Sequence, residues 1–243
     1  MNVKKQLLKK LKNGKLHFSL LDPEKLTPEK AGSLAKKLES FGTDAILVGG
    51  STTKKIDDVA KAIKDAVSIP IILFPSSAMS LTKYADAVFF MSLLNSNKRE
   101  YLVGEQVKGS QLVKEMGIEP IGMGYIVINT GEPTTVEKVA EIQRLTKQDV
   151  VSCALAAQYM GMSLVYLEAG SGAQRSVPSE TIAAVKGAVD IPVIVGGGIT
   201  GPNTAKRKLR AGADVIVIGT VIEKFYGKVP EIIDTVKKFR PEI

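Results

Sequence analysis

The chain has 243 residues, of which 44% are hydrophobic and 24% charged, and this balance fits one soluble domain, 1–243, with a sizeable core. A single cysteine, Cys153, excludes an internal disulfide and a cysteine-rich zinc site. No apolar run reaches the roughly 18 residues of a transmembrane helix. The basic start of the chain lacks the apolar segment of a signal peptide, so we expect a cytoplasmic protein.

The formal net charge of +8 indicates anionic partners. Such a field attracts phosphorylated substrates or an anionic membrane surface, so a peripheral membrane contact stays open. Nucleic acid is not expected, because the basic residues are spread along the chain and accompany no recognised nucleic-acid motif. Most of the lysines are interpreted as solvated faces of helices. Because barrels of the kind described next often associate, we also expect a homo-oligomer.

Short apolar, β-branched runs alternate with helical segments along the chain, which predicts a parallel sheet with crossover helices. The predicted strands lie at 16–21, 44–49, 70–74, 86–91, 119–127, 163–168, 192–196 and 214–219. The predicted helices lie at 28–41, 54–67, 97–116, 149–161, 179–188, 202–211 and 228–239. Eight strands in this order indicate an α/β fold of the TIM (β/α)8 barrel type.

Two connections depart from a regular barrel. Residues 75–85 are too few for a full crossover helix, so we predict a modified barrel whose third helix is missing or replaced by a short connection. Residues 128–148 form a long connection with an extra helix expected near 135–145. This connection is either a functional loop or a tolerated surface insertion.

Three glycine-rich turns follow consecutive strands. They are Tyr166–Ala173 (YLEAGSGA), Val195–Ile199 (VGGGI) and Val217–Thr220 (VIGT). Glycine lets backbone N–H groups approach an anion closely and adopts turns that other residues resist. Together the turns predict a cradle for one phosphate group, of the kind that the last strands of a (β/α)8 barrel form.

Two acidic residues follow predicted strands, where a barrel places its chemistry. Asp22 comes after the first strand and is either a catalytic or metal-binding carboxylate or a turn cap before Pro23. Glu168 ends the sixth strand, and period-two alternation places it on the same face as Tyr166. On the barrel interior, Glu168 would act as a general base or orient a hydroxyl. The alternative is an acceptor that braces the glycine turn.

Four other residues have narrower interpretations. Ser51 and Thr52 follow the second strand and offer hydroxyls to a metal or phosphate, or a cap to the next helix. His17, the only histidine, is expected to face the helix layer, because alternation places it opposite to Asp22. Cys153 lies in an apolar helical stretch and is expected in the core. With one histidine, any metal must take oxygen ligands, which favours Mg²⁺.

With these motifs in place, the chain resembles the geranylgeranylglyceryl phosphate synthase family over nearly its full length. The segments that carry the resemblance are LLDPEK (Leu20–Lys25), VGGST (Val48–Thr52), FPSS (Phe74–Ser77), YLEAGSGA (Tyr166–Ala173), GGGI (Gly196–Ile199) and Gly219-Thr220. Glycine-rich turns alone occur in many barrels, whereas this set in this order is specific. The family makes the first ether bond of archaeal membrane lipids, and its bacterial relatives use longer prenyl donors, so the donor length stays open.

The resemblance implies transfer of a prenyl group from geranylgeranyl diphosphate to the 3-hydroxyl of sn-glycerol 1-phosphate. It implies that Asp22 and Ser51 bind Mg²⁺, with Thr52 as the alternative to Ser51, and that Glu168 and Asp22 are catalytic. The family's barrel also lacks its third helix. The residues implied for glycerol phosphate are Tyr166, Leu167, Glu168, Ala169, Gly170, Ser171, Gly172, Gly197, Gly198, Gly219 and Thr220.

A long prenyl chain must leave the centre of a barrel through a side groove. We predict this groove beside the third strand, at 70–77 and 78–85, where a helix is missing. The apolar residues near it are Ala78, Met79, Leu81, Tyr84, Val88, Phe90, Leu93 and Leu94. Two other functions stay open: a sugar-phosphate isomerase or lyase on a similar barrel, and a non-enzymatic sensor of a phosphate ligand or lipid surface.

Overall fold

Eight parallel strands form a closed barrel in the computed structural model, which describes residues 2–49, 56–128 and 139–240. Each strand pairs with the next in chain order, and the eighth pairs with the first. The strands are β1 Leu16–Leu21, β2 Ala45–Val48, β3 Ile71–Leu73, β4 Ala87–Leu93, β5 Glu119–Val127, β6 Leu164–Glu168, β7 Val193–Gly196 and β8 Val215–Ile218. The predicted barrel is confirmed.

The helices mostly follow the predicted positions. They are α1 Val3–Leu11, α2 Pro28–Ser40, α3 Ile56–Ala66, α4 Glu105–Met116, α5 Lys147–Tyr159, α6 Ser179–Ala188, α7 Pro202–Arg210, α8 Thr220–Lys224 and α9 Val229–Lys238. The Thr27 side chain accepts the Lys30 N–H and caps α2, with proline in the first turn as expected. Among the described ranges, no helix combines the length and apolar character needed to cross a membrane.

Strand alternation divides the core into two parts. Inward-facing side chains such as Phe18, Leu47 and Tyr166 fill the barrel, and outward-facing ones such as Ile46 and Leu167 pack against the helices. Both parts are almost fully buried, as expected for a parallel sheet covered by helices. The same alternation fixes which functional side chains point into the barrel.

Helix α1 closes the amino-terminal end of the barrel and was not predicted from the sequence. Its Val3 and Leu7 are buried with the interior side chains. The carboxylate of Glu119, at the start of β5, accepts the backbone N–H groups of Val3 at 2.5 Å and Lys4 at 3.2 Å. A carboxylate at a helix N-terminus satisfies free donors and complements the helix dipole. This end of the barrel is therefore a packed floor.

Three aspartates at the same end tie neighbouring strands together. They are Asp44, Asp86 and Asp214, each directly before a strand. They accept the N–H groups of His17, Ile71 and Val193, in that order, at 3.1, 2.9 and 2.9 Å. Each aspartate also pairs with at least one lysine. Some of the lysines therefore act as counter-ions to these three aspartates.

The irregular connections are only partly as predicted. Between β3 and β4, where a regular barrel has its third crossover helix, this chain has a three-residue 3-10 turn, Ala78–Ser80, as the short connection predicted. The helix predicted at 97–116 begins instead with a π-helical turn at Glu100–Gly104. The helix expected near 135–145 is wrong for residues 140–145, where Ile142 forms an antiparallel bridge with Ser96; residues 129–138 lie outside the described residues.

His17 lies on the outer face of β1, as predicted, and is fully buried. Its Nδ1 is 2.9 Å from the Thr43 Oγ1, while its Nε2 has no hydrogen-bond partner. Burial, only partly opposed by the charge of Asp44, lowers the pKa of His17 from 6.5 to about 3. The side chain is thus held neutral in the folded protein.

We predict that His17 contributes an acid-sensitive part of the stability. Between pH 6.5 and about 3, the unfolded histidine binds a proton that the folded one does not. The free energy of unfolding therefore decreases as the pH is lowered, by up to about 1.4 kcal/mol per pH unit. His17→Asn keeps an acceptor near Thr43 but cannot titrate. In urea unfolding from pH 8 to 4, the stability of wild type relative to His17→Asn should be constant above pH 7 and fall below it. A difference that does not vary with pH would contradict this assignment.

Candidate active site

Glu168 is the buried carboxylate at the carboxyl-terminal end of β6. Its side chain lies on the same face of β6 as Tyr166, as predicted, and this face is the barrel interior; the residue is 8% exposed. Its Oε1 accepts the Gly170 N–H at 2.6 Å. Burial raises the pKa of Glu168, against the opposing effect of the Gly170 N–H and Tyr166. A carboxylate with a raised pKa is a better proton acceptor near neutral pH.

The turn after β7 requires glycine at Gly197. Its φ is +77°, and a Cβ there would overlap Glu168 Oε1 and approach the Gly170 nitrogen to 2.8 Å. Gly198 has a φ of +64°, and a Cβ on it would meet the Arg175–Ser176 backbone at 2.7–2.8 Å. Both glycines are therefore needed for the turns to pack, independently of any ligand.

The turn after β8 contacts the turn after β6 through a hydroxyl. Thr220 Oγ1, after β8, lies 3.5 Å from Ser171 Oγ, in the turn after β6. The structure thus brings together the glycine-rich turns that the sequence placed on three consecutive strands. The binding roles of Tyr166–Gly172, Gly197-Gly198 and Gly219-Thr220 stay predictions.

An aromatic cluster lies inside the barrel next to Glu168. Tyr166 packs edge-to-face on Tyr125 with ring centroids 5.3 Å apart. The ring centroid of Phe74 lies 5.5 Å from that of Tyr166 and 5.6 Å from that of Tyr125. Burial, with the Glu168 charge, raises the pKa of both tyrosines well above the ordinary value, so they stay neutral. Sequence reasoning missed Tyr125, although its inward parity on β5 could have identified it.

Asp22 lies at the carboxyl-terminal mouth after β1, with its side chain 22% exposed. Its Oδ1 accepts the Glu24 N–H at 3.0 Å, and its Oδ2 is 3.3 Å from Lys25 Nζ. Lys25 Nζ also lies 3.0 Å from both carboxylate oxygens of Glu223 on α8. Sequence reasoning missed this shared lysine, because Glu223 follows it by 198 residues.

The oxygen donors near Asp22 fit Mg²⁺ held jointly with a substrate. In the described ranges, no group of three or more His, Cys, Asp or Glu side chains is arranged to hold a metal ion. Mg²⁺ commonly uses one or two protein carboxylates, water and substrate phosphates. Asp22 at the mouth suits that mode. Ser51 and Thr52 lie outside the described residues.

The ladder between β3 and β4 is short and leaves a gap beyond it in the closed barrel. These strands pair only at Ile72↔Ala87 and Leu73↔Val88, whereas β4 continues to Leu93 against β5. Partly buried apolar side chains lie beside this gap, among them Leu81, Phe90 and Met91. The gap lies where the sequence predicted a groove.

Two hydrogen bonds hold the part of β4 that continues beyond β3. Gln106 Nε2 donates to the Met91 carbonyl, and Ser92 Oγ donates to the Leu102 carbonyl at 2.7 Å. The Gln106 amide thus gives the Met91 carbonyl the donor that a longer β3 would have supplied, and Ser92 ties β4 to the π-helical turn.

Comparison with known proteins places this architecture in a family. Residues 8–239 match the PcrB family. The chain is 52% identical over 226 residues to the geranylgeranylglyceryl phosphate synthase of Thermococcus sibiricus, with 91% of this chain and 89% of that protein covered. The synthase of Thermoplasma volcanium is 47% identical over 230 residues, with 92% and 90% covered.

Solved structures agree. The crystal structure of (S)-3-O-geranylgeranylglyceryl phosphate synthase from Thermoplasma acidophilum, in complex with the substrate sn-glycerol-1-phosphate, has a TM-score of 0.93 and 42% identity over 98% of this chain and 100% of that one. Thiamine phosphate pyrophosphorylase from Pyrococcus furiosus has a TM-score of 0.60 and 17% identity over 94% of this chain and 98% of that one, a likeness of fold alone. The chain belongs to the PcrB family.

We predict that Gly197→Ala destabilises the protein, because alanine is strained at a φ of +77° and its Cβ would overlap the Glu168 carboxylate. The strain alone costs roughly 1–3 kcal/mol. Gly187→Ala is the matched control, since a Cβ there meets nothing within 4 Å in α6 and alanine favours a helix by roughly 0.5–1 kcal/mol. Urea unfolding should move the two midpoints in opposite directions; a neutral Gly197→Ala would mean that the two turns are not packed as described.

Proposed function

We propose that this chain is a prenyltransferase that forms an ether bond between the 3-hydroxyl of sn-glycerol 1-phosphate and geranylgeranyl diphosphate. The observation that carries the proposal is the position of Glu168. This buried carboxylate lies between the glycine-rich turns and the aromatic interior, in a chain closely similar to a synthase crystallised with sn-glycerol-1-phosphate. The proposed reaction needs an anion cradle, a proton acceptor and an apolar outlet, and each has a candidate in the fold.

The glycerol phosphate is assigned to the turns after β6, β7 and β8. Backbone N–H groups and the hydroxyls of Ser171 and Thr220 would bind the phosphate. The Gly170 N–H already donates to Glu168, so we assign Gly170 to shaping the turn. Tyr166, packed under Gly196, supports the carboxylate from the barrel side.

The prenyl chain is assigned to the gap between β3 and β4. Burying each methylene of the donor contributes about 0.8 kcal/mol before ordering costs, so an apolar outlet beside Leu81 and Phe90 would supply much of the donor's affinity. Ala85 does not belong to this outlet. It is 7% exposed and sits directly before Asp86, at the amino-terminal end of the barrel.

The chemistry follows from the two carboxylates. The glycerol 3-hydroxyl oxygen bonds to C1 of the prenyl group while the bond from C1 to the diphosphate oxygen breaks. Glu168 orients the hydroxyl and accepts its proton, and the diphosphate leaves with the electron pair. Asp22 would hold Mg²⁺ with the diphosphate, and the ion would offset the charge that builds on the leaving group.

The direct test is one incubation of the purified protein with Mg²⁺, labelled sn-glycerol 1-phosphate and geranylgeranyl diphosphate. Labelled product extractable into organic solvent is expected. A series of donors from C10 to C35 then measures the preferred chain length. If no donor yields extractable product, the protein is not this enzyme, and a phosphate-binding isomerase, lyase or sensor takes its place.

We predict that Glu168→Gln lowers kcat by roughly 10²–10⁴-fold, with a small change in KM for glycerol phosphate. Glutamine keeps an oxygen for the Gly170 N–H but cannot accept the proton. Only the ionised form of Glu168 is active, and its pKa is raised above the ordinary 4.5. The wild-type kcat should therefore decrease as the pH is lowered through this raised pKa. A variant that retains wild-type kcat would exclude Glu168 as the base.

We also predict that Ala78→Trp penalises a C20 donor far more than a C10 donor. Ala78 is partly buried beside Gly109 of α4, and added bulk there should narrow the outlet. Met79 was predicted beside the groove but is 74% exposed in the same turn, so Met79→Trp is the control for size. The ratio of kcat/KM for the two donors is the measurement. An equal loss for both lengths would place the outlet on another face.

A further inference from the structure

Lys25 joins the two halves of the proposed site. It follows Asp22 in the loop after β1, and its ammonium is 3.3 Å from Asp22 Oδ2. Its stronger contacts are to Glu223, with both oxygens at 3.0 Å. Glu223 belongs to α8, whose first residue is Thr220 of the third glycine-rich turn. One ammonium therefore lies between the metal-binding and the phosphate-binding sides of the mouth.

Lys25, Asp22 and Glu223 form a charged trio at the mouth, and without Lys25 the two carboxylates would be poorly suited to binding anions. Two carboxylates at the mouth would repel incoming phosphate and diphosphate groups, and one ammonium leaves the trio with a single net negative charge. A divalent cation at Asp22 would bring further positive charge close to Lys25 Nζ. Because like charges repel, the ammonium and the cation compete for Asp22 Oδ2.

The contacts of Lys25 are easily exchanged. Its side chain is 53% exposed, and those of Asp22 and Glu223 are 22% and 34% exposed. Ion pairs this exposed stabilise a fold little, so a purely structural brace is a weak explanation for a lysine shared by two carboxylates. A lysine anchored at Glu223 can release Asp22 without any change in the backbone.

We propose that Lys25 is a further diphosphate-binding residue, which neutralises Asp22 in the free enzyme and turns to the diphosphate when a divalent cation takes Asp22. Glu223 keeps the ammonium at the mouth during this exchange. The inference rests on the proposed function, since it takes the diphosphate of the prenyl donor as the ligand. It assigns Lys25 to the leaving group and gives Glu223 a positioning role.

The first test measures metal binding without substrates, with Mn²⁺ as a spectroscopic probe. Lys25→Met removes the competitor, so Mn²⁺ should bind several-fold more tightly than to wild type. Glu223→Gln weakens the anchor and turns Lys25 fully to Asp22, so Mn²⁺ should bind more weakly. Lys224→Met, an exposed lysine on the same helix, removes equal charge and should change little. Equal shifts in Lys25→Met and Lys224→Met would overturn the competition.

The second test measures inorganic pyrophosphate binding by calorimetry with Mg²⁺ present. Lys25→Met should lose at least tenfold in affinity, Lys25→Arg should recover most of it, and sn-glycerol 1-phosphate should bind both variants as it binds wild type. Unchanged pyrophosphate affinity in Lys25→Met overturns the proposal. A joint loss of glycerol phosphate affinity and of unfolding free energy in Lys25→Met would also overturn the proposal, because it would indicate a purely structural role for Lys25. Neither measurement needs turnover, so failure of the prenyl-transfer assay is a separate result.

Discussion

The buried carboxylate of Glu168 is the constraint on which the arrangement of the site depends. A charge in the interior is stable only when hydrogen bonds replace its water, and here the Gly170 N–H and Tyr166 supply them. Those partners in turn need space. Gly197 can carry no Cβ beside the carboxylate, and Gly196 can carry none beside the Tyr166 hydroxyl. The glycines that indicate a phosphate site are therefore also the residues that let an acid sit inside the barrel.

The two ends of the barrel divide stability from chemistry. At the amino-terminal end, carboxylates accept strand N–H groups and pair with lysines, and α1 covers the interior. At the carboxyl-terminal end, Asp22 forms an exposed pair with Lys25, and Glu168 accepts a hydrogen bond from the glycine-rich turn after β6. Some of the positive charge thus stabilises the fold, since lysines such as Lys10 and Lys237 form ion pairs with Asp44. Charge alone could not have distinguished these lysines from ones that bind substrate.

Much of the fold could be predicted because apolar runs and turn residues are local signals. Alternation along β6 correctly placed Tyr166 and Glu168 on one face, which is the barrel interior, and alternation along β1 placed His17 outside. Helix α1 was missed although Asn2 caps it locally; its packing against the barrel also involves Glu119, more than a hundred residues away. The Lys25–Glu223 pair was missed because its two residues are 198 positions apart in the chain. The helix expected near 135–145 failed at 140–145 because Ile142 is held by Ser96, a contact that no local pattern reveals.

The opening in the barrel wall follows from a short sequence feature after β3. The Phe74 N–H still donates to the Val48 carbonyl at 2.8 Å, but Pro75 has no N–H and cannot continue the ladder. The strand ends while β4 continues, and too few residues remain before β4 for a helix to cover the gap. The same proline thus ends the pairing one residue after Phe74, whose ring packs inside the barrel against Tyr125 and Tyr166. Such a break would give the long apolar donor of the proposed reaction a side outlet, so the shortened third strand connects the fold to its proposed substrate.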